Sequence, residues 1–346
     1  MTYENEILQG NSIEVLKTLP SGIADMCITS PPYYGLRDYG TGQWIGGNPN
    51  CPHRRISKQS DKTATGHAQS ELAGNVGDAI YKKKCPLCGA VREDKQIGLE
   101  ETPEDYVDRL VFLFREVRRV LKDDGTLWIN IGDTYNGSGR GRDSNGLVHF
   151  SALSAKQSTN KGSGDGIILK KVIDGCKPKD LIGIPWMLAF ALRDDGWYLR
   201  QDIIWHKPNP MPEPIKDRCT KSHEYVFLLS KKPHYYFDSE AIQEDTSSGE
   251  NIKRNKRDVW SIAPANVKEA HFATFPEKLV EPCIKAGSRM NGIVLDPFFG
   301  SGTTGIVAQR LNRKYIGIEL NPKYIEIAKQ RTDNIQMTMY GLLSEA

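Results

Sequence analysis

The chain has 346 residues, 26% of them charged and 38% hydrophobic, the composition of an ordinary globular protein with length enough for one large α/β domain with insertions or for two domains. A net charge of +3 does not mark a nucleic-acid binder by itself, and seven scattered cysteines argue against a secreted disulfide framework. No stretch is apolar enough to span a bilayer and "MTYENEILQG" has no signal-peptide core, so a cytoplasmic protein without a membrane partner is expected.

In chain order, "SIEVLKTLP" reads as a helix after a Ser/Asn cap, stopped by Pro20 and Gly22, and "ADMCIT" as a buried strand. Periodicity is then lost from Gly35 to about Glu101, an insertion. A helix opens at the cap Thr102 with Pro103 at its first position. Its apolar stripe runs through Tyr106, Leu110, Leu113, Phe114, Val117 and Leu121, and Gly125 ends it. "TLWINIGD" is a strand. Residues 136–166 form a flexible Gly/Ser-rich loop, whose GxGxG lacks the strand-to-helix frame of a nucleotide loop. "IPWMLAFALRDDGWYLRQDIIWHKPNP" is helix, turn and strand, and "SHEYVFLLSKKPHYYFD" resembles a hairpin. A helix (276–287), strand, helix, strand and final helix complete the chain. Helix alternating with buried strand argues for a parallel sheet covered by helices.

"GIVLDPFFGSGTTGIVAQRLNRKYIGIELN" carries the most chemical information. A buried strand ends at Asp296, a glycine-containing turn follows, a helix begins at Thr303, and a second strand ends at Glu319. The glycines admit a ligand close to the backbone, and the second carboxylate is placed to accept from ribose hydroxyls. There is no GxGxxG, and an acidic residue at the first strand's end would repel a pyrophosphate. It suits a cationic ligand such as S-adenosylmethionine. The candidate cofactor contacts here are Asp296, Pro297, Phe298, Gly300, Gly302, Thr303 and Glu319.

Such a methyl donor gives "TSPPYYG" a purpose. The exocyclic amine of cytosine or adenine is conjugated with its ring and is a poor nucleophile. Hydrogen bonds from its N–H groups to Ser30 Oγ and to a carbonyl of the Pro31-Pro32 corner would localise the lone pair. Tyr33 would stack on the base, which must first flip out of the duplex. Ser30, Pro31, Pro32 and Tyr33 are the candidate catalytic residues.

With "TSPPYYG" first and "DPFFGSGTT" near the C-terminus, the sequence resembles the β-group (permuted) of S-adenosylmethionine-dependent DNA amino-methyltransferases. The resemblance implies a doubly wound, mostly parallel, seven-stranded-type α/β sheet of the methyltransferase (Rossmann-like) class. It also implies double-stranded DNA as partner, a monomer or homodimer, and a restriction-modification setting with any cognate endonuclease on a separate chain. "FATFPEKLVEPCI" resembles the helix that closes over the cofactor's methionine part, which makes Phe275 a candidate contact. "LQGNSIEVLKTLP" resembles the segment whose acidic residue contacts the adenine, a position held here by Asn11. In the family, Ser-Pro-Pro-Tyr is mostly associated with N4-methylation of cytosine and Asp/Asn-Pro-Pro-Tyr with N6-methylation of adenine. N4-cytosine is the leading expectation and N6-adenine the alternative. A protein glutamine or RNA acceptor would go with the opposite motif order, and an inactive zinc-containing DNA-binding protein would not need both motifs intact. Pro282-Cys283 looks like a C5-cytosine nucleophile pair, but it sits in an apolar helical stripe and reads as core.

The resemblance divides the chain into a catalytic core of 1–44, 101–208 and 266–346, an inserted subdomain at 45–100, and a target recognition region at 209–265. Within the insertion, Cys51, His53, Cys85 and Cys88 form a zinc-knuckle-like set, and His67 could replace His53. This stretch is otherwise too poor in apolar residues to make a core, which a structural zinc would explain. In "KRNKRDVW", Arg254, Lys256 and Arg257 are candidate DNA contacts. Trp205 or His206 would line the pocket for the base.

Overall fold

The computed structural model describes residues 3–35, 41–53, 84–136, 175–177, 179–213, 215–246, 252–264 and 275–344. His67 and nearly all of the loop expected at 136–166 lie outside them. In chain order the elements are β1 (Glu6–Gln9), α1 (Ser12–Thr18), β2 (Ala24–Thr29), β3 (Gln43–Ile45), β4 (Val91–Glu93), α2 (Pro103–Val120), β5 (Leu121–Ile131), α3 (Ile184–Asp194), β6 (Tyr198–His206), β7 (His223–Ser230), β8 (Glu244–Asp245), β9 (Lys253–Arg254), β10 (Val259–Ser261), α4 (Glu277–Gly287), β11 (Ile293–Asp296), α5 (Thr303–Arg310), β12 (Lys314–Glu319) and α6 (Pro322–Ser344). No described helix is long and apolar enough to cross a membrane.

The chain forms two units. The first comprises Met1–Tyr39, Ile97–Thr134 and Gly183–Ala346. Its sheet has the order β1-β12-β11-β2-β5-β7-β6-β10. Every neighbouring pair is parallel except those made by β7, which runs antiparallel to both β5 and β6. The sheet has eight strands rather than seven because the three residues of β10 add to the edge of β6. The strand period of two sends Met26, Ile28, Trp128, Val226 and Leu228 into one layer with Leu279, Val280, Cys283 and Ile284 of α4 and Val307 and Ala308 of α5. Leu16 of α1, Tyr106, Leu110, Phe114 and Val117 of α2 and Leu188 of α3 are buried as a second apolar set, and α2 packs against both α1 and α3. The sheet is thus wound on both faces.

Two local expectations are corrected. The hairpin expected over 222–238 is one strand, β7, because its residues pair with β5 on one side and β6 on the other. The 209–265 stretch therefore contains two strands of the central sheet, β7 and β10. Helix α2 does stop short of Gly125: it ends at Val120, where Leu121 already pairs with Ala24 of β2. Gly125 lies inside β5 at a shift of register, and a Cβ there would come 3.0–3.1 Å from Lys122 O, Asp25 O and Leu121 Cβ. The expected start of α2 holds: Thr102 Oγ1 accepts from Asp105 N at 3.0 Å, with Pro103 next.

The second unit comprises Gly40–Gln96 and Tyr135–Ile182. Its described part is the antiparallel pair β3–β4 with the turns around it and the segment at 135–136 bridged to Leu181. It joins the insertion expected at 45–100 to the segment that follows β5.

Candidate functional site

Strands β2 and β11 are neighbours, with Leu295 paired to Cys27. Both end on the same edge of the sheet, so the two motifs leave it side by side although Thr29 and Asp296 are 267 positions apart in the chain. Their junction is Thr29 Oγ1, which donates to Asp296 Oδ1 at 2.6 Å.

Asp296 was expected to face a positive charge on a ligand. It is instead fully buried, and it accepts from Thr29, from Thr304 Oγ1 at 2.6 Å and from Phe298 N at 3.0 Å. Burial raises its pKa to about 6 despite those three donors. Its place is to tie β2, the turn and the start of α5 together. The turn itself is built from glycines where a side chain is barred. Gly300 and Gly302 have φ of 52° and 86°. A Cβ on Gly302 would also lie 3.0 Å from Ala328 Cβ. The Phe299 ring stacks on Tyr315 with centroids 5.2 Å apart, and it lies so close to Gly317 that a Cβ there would sit 2.3 Å from it. Phe299 thus belongs to the core, while its neighbour Phe298 is half-buried. Thr303 is buried at the first position of α5.

Glu319 closes the turn from the next strand. Its Oε2 accepts from Gly300 N at 2.9 Å and its Oε1 from Asn321 N at 2.7 Å, and burial raises its pKa. Gln9 lies opposite Glu319 in the β1–β12 ladder, which brings the next residues, Gly10 to Ser12, to the same edge. Asn11 caps α1, its Oδ1 accepting from Ile13 N at 3.1 Å and Glu14 N at 3.3 Å. Ser12 Oγ donates to the Pro297 carbonyl at 2.5 Å. Phe275, just before α4, packs against the core layer. Cys283 is fully buried in that layer and burial pushes its thiol pKa up, as a core cysteine requires.

The Ser30-Pro31-Pro32-Tyr33 corner is held from behind by groups that the sequence did not single out. Tyr106 Oη donates to the Pro32 carbonyl at 2.9 Å. Ser30 Oγ lies 3.3 Å from Asn130 Oδ1. Tyr33 Oη lies 3.2 Å from the same oxygen and 2.6 Å from Glu224 Oε2. Burial, then the Glu224 charge, holds the Tyr33 phenol well above its usual pKa, so it is a donor. Its ring lies on Gly132, where a Cβ would come 2.7 Å from Cε2. Asn130 Nδ2 donates to Glu224 Oε2 and to the Tyr225 carbonyl, both at 3.2 Å. Lys207 Nζ pairs with Glu224 Oε1. One sequence signal existed for this set: Asn130 is a polar residue inside the apolar run "TLWINI".

Trp205 is a core residue, 4% exposed, with its indole N–H on the Ile262 carbonyl at 2.8 Å. His206 Nδ1 lies 2.9 Å from Ser261 Oγ. Arg254 and Arg257 both donate through Nε to Glu244 Oε1, at 3.1 and 2.7 Å, and Lys256 lies 5.2 Å from the Trp260 ring centroid. The three cations expected to meet DNA are thus gathered around β8, β9 and β10.

In the second unit, Cys51, His53, Cys85 and Cys88 place their four ligand atoms within 4.8 Å of one another. Cys51 Sγ lies 3.7 Å from Cys85 Sγ, and Cys88 Sγ 3.5 Å from His53 Nδ1. Trp44 of β3 stacks on the His53 imidazole at 4.4 Å.

Comparison with known proteins bears on both motifs at once. The family model described as "DNA methylase", of N6/N4 methyltransferases, matches residues 24–330. Type II methyltransferase M.SmaI of Serratia marcescens is 44% identical over 94% of this chain and 90% of its own. Type II methyltransferase M.Cfr9I of Citrobacter freundii is 43% identical over 94% of this chain and 86% of its own. Among solved structures, PvuII DNA methyltransferase (cytosine-N4-specific) shares the fold with a TM-score of 0.58, at 19% identity over 97% of this chain and 91% of its own.

Proposed function

The chain belongs to the DNA methylase family of N6/N4 amino-methyltransferases, and on that premise we propose that it transfers a methyl group from S-adenosylmethionine to the N4 amine of a cytosine flipped out of duplex DNA. The observation that carries this reading is the Thr29–Asp296 bond, which couples the Ser30 corner to the glycine turn on adjacent strands.

The turn fits the cofactor. At Gly300 the nearest atom to a Cβ position is Phe298 O at 4.0 Å, Gly302 holds the turn in the left-handed region against Ala328, and Asn11, Phe298, Thr303 and Glu319 lie about the turn. When bound, the cofactor supplies an electrophilic methyl group on its sulfonium. Glu319 accepts from ribose hydroxyls. Asp296 contributes indirectly, by fixing the turn.

At the corner, Ser30 Oγ and the Pro31 carbonyl accept the two N–H groups of the target amine and draw its lone pair out of conjugation. Both are neutral acceptors backed by a neutral amide, Asn130, which suits an amine flanked by an unprotonated ring nitrogen. Adenine at N6 presents the same edge and is the alternative acceptor. Arg254, Lys256 and Arg257 hold DNA phosphates, and the Glu244 carboxylate oxygen shared by the two arginines holds them side by side. The relatives' description as Type II methyltransferases supports a restriction-modification role, with the endonuclease on another chain.

The second unit supplies a structural metal site, because methyl transfer to an amine needs no Lewis acid. It is held together by a structural zinc ion on Cys51, His53, Cys85 and Cys88. Tetrahedral bonds of about 2.3 Å to sulfur and about 2.0 Å to nitrogen place S···S near ~3.8 Å and S···N near ~3.5 Å. The observed 3.7 and 3.5 Å match that geometry and are far too long for a disulfide.

Labelled S-adenosylmethionine offered with duplex DNA, RNA and a protein mixture tests the acceptor class. Label in duplex DNA alone is expected. Label in RNA or protein, with DNA unlabelled, would overturn the reading.

A further inference from the structure

We propose that Glu224, acting through Asn130, is a positioning residue that keeps the Ser30 hydroxyl turned as an acceptor for the target amine; this rests on the amino-methyltransfer reading above. The argument is one of donor and acceptor counting. The Asn130 Nδ2 group has two protons, and its partners are Glu224 Oε2 and the Tyr225 carbonyl, each 3.2 Å away. A carboxylate and a carbonyl only accept. The amide is therefore fixed with its nitrogen toward β7 and its oxygen toward the corner.

Asn130 Oδ1 then faces two hydroxyls, each with one proton. Tyr33 Oη directs its proton to Glu224, its nearer partner at 2.6 Å against 3.2 Å for Asn130. That leaves Asn130 Oδ1 for Ser30, with the Tyr33 oxygen as a second acceptor on the same inner side. With its proton directed there, Ser30 Oγ presents lone pairs outward, as an incoming N–H requires. Lys207 anchors Glu224 from β6, so the chain runs from Lys207 to Glu224, Asn130, Ser30 and the amine. Each bond polarises the next. Were the amide reversed, Ser30 would meet a donor and its proton would point at the substrate.

The account gives each substitution its own signature. In Glu224→Gln either end of the new amide can face Asn130, so its orientation is enforced by the Tyr225 carbonyl alone instead of by two acceptors. Its kcat should fall about tenfold, the loss expected of one charge-assisted hydrogen bond felt at the reacting amine, with S-adenosylmethionine affinity unchanged. In Asn130→Asp two carboxylates meet at about the present 3.2 Å and share one proton. The variant should work while that proton is held and lose activity as pH rises past the shared pKa, an alkaline limb absent from the wild type. The titratable groups around the pair are Tyr33 and Tyr106 beside the corner, His206 and Lys207 at the end of β6, and Asp133, Lys221 and His223 about the start of β7. All of them are present in the wild type, so the new limb belongs to the carboxylate introduced in place of Asn130. The exchanged pair Asn130→Asp with Glu224→Gln restores one donor facing one acceptor. The Tyr225 carbonyl is left without its donor in both variants that carry Asn130→Asp, so the exchanged pair should recover part of the activity lost in Asn130→Asp, and lose the limb.

The experiment is to measure kcat against pH, with cofactor affinity by calorimetry, for the wild type, both single variants and the exchanged pair. A pH limb in Asn130→Asp removed by the second exchange supports the proposal. Singles that match the wild type at every pH, or an exchanged pair no better than Asn130→Asp with cofactor binding intact, overturn it. A wild type that methylates no DNA would instead overturn the function on which it rests.

Discussion

Thr29 Oγ1 donates to Asp296 Oδ1 at 2.6 Å, and through this bond the last residue of one strand fixes the last residue of the next. The two residues belong to the two main motifs and lie 267 positions apart in the chain. The corner that receives the amine and the turn that fits the methyl donor are therefore built on one edge. Each side has its own supports: Thr304 and Phe298 N for the turn, Tyr106 and Asn130 for the corner.

The first consequence concerns Ser30. Ser30→Ala removes the proposed acceptor for one amine N–H but touches none of the turn's hydrogen bonds. It should lower kcat about a hundredfold, the usual cost of deleting one oriented polar group at the reacting atoms. Affinity for S-adenosylmethionine should stay within about twofold, because the sites share no partner. Loss of both together would contradict the separation of roles.

Asp296 makes the turn pH-sensitive. Its folded pKa of about 6 lies above the ordinary 3.8, so burial disfavours the charged form in the native state. The native state's preference for the proton is fully present below about pH 4 and is lost as pH rises through about 6. About two units correspond to a penalty on the order of 3 kcal/mol above that window. Asp296→Asn cannot ionise, so its thermal stability relative to wild type should improve between about pH 5 and about pH 8. Melting curves at the two values check it, and a parallel shift would contradict the assignment.

Much of this was legible in the sequence for one reason: helices and parallel strands announce themselves by local periodicity. The cap at Thr102, the stripe of α2 as far as Val117, and the β11–turn–α5–β12 run were read correctly from spacing, whereas Leu121, placed in that stripe, opens β5. Strand β7 was misread because a buried antiparallel strand and the first arm of a hairpin have the same local pattern, and only its pairing with β5 and β6 separates them. The role expected for Asp296 failed differently. A strand-terminal carboxylate looks available from sequence, whereas here Thr29 and Thr304, 267 and 8 positions away, enclose it. Asn130, Glu224 and Lys207 have no motif of their own, so only the folded sheet assembles them.

Gly302 has two independent reasons to be glycine: φ of 86° and a Cβ position 3.0 Å from Ala328 Cβ. Gly302→Ala should destabilise the protein by about 1–3 kcal/mol through backbone strain and crowding together. It should also weaken S-adenosylmethionine binding more than any change at Ser30. Calorimetric titration of the variant against wild type tests this, and unchanged affinity would remove the turn from the cofactor site.

Purified protein should contain about one zinc per chain, as a single four-ligand site dictates. Cys85→Ser should release the metal and speed hydrogen exchange in β3 and β4. S-adenosylmethionine affinity should persist, since every residue proposed to hold the cofactor belongs to the other unit. Elemental analysis of the wild type is decisive: protein folded at 84–93 with no metal would contradict the knuckle.

The most direct test of the central claim is to identify the methylated nucleoside. Mixed-sequence duplex DNA treated with the protein and S-adenosylmethionine is digested to nucleosides and resolved by mass spectrometry. The account predicts N4-methylcytosine, formed by wild type and at least about tenfold less by Ser30→Ala, the minimum expected for loss of an oriented hydrogen bond. N6-methyladenine in its place, or N4-methylcytosine formed equally well without the Ser30 hydroxyl, would contradict it.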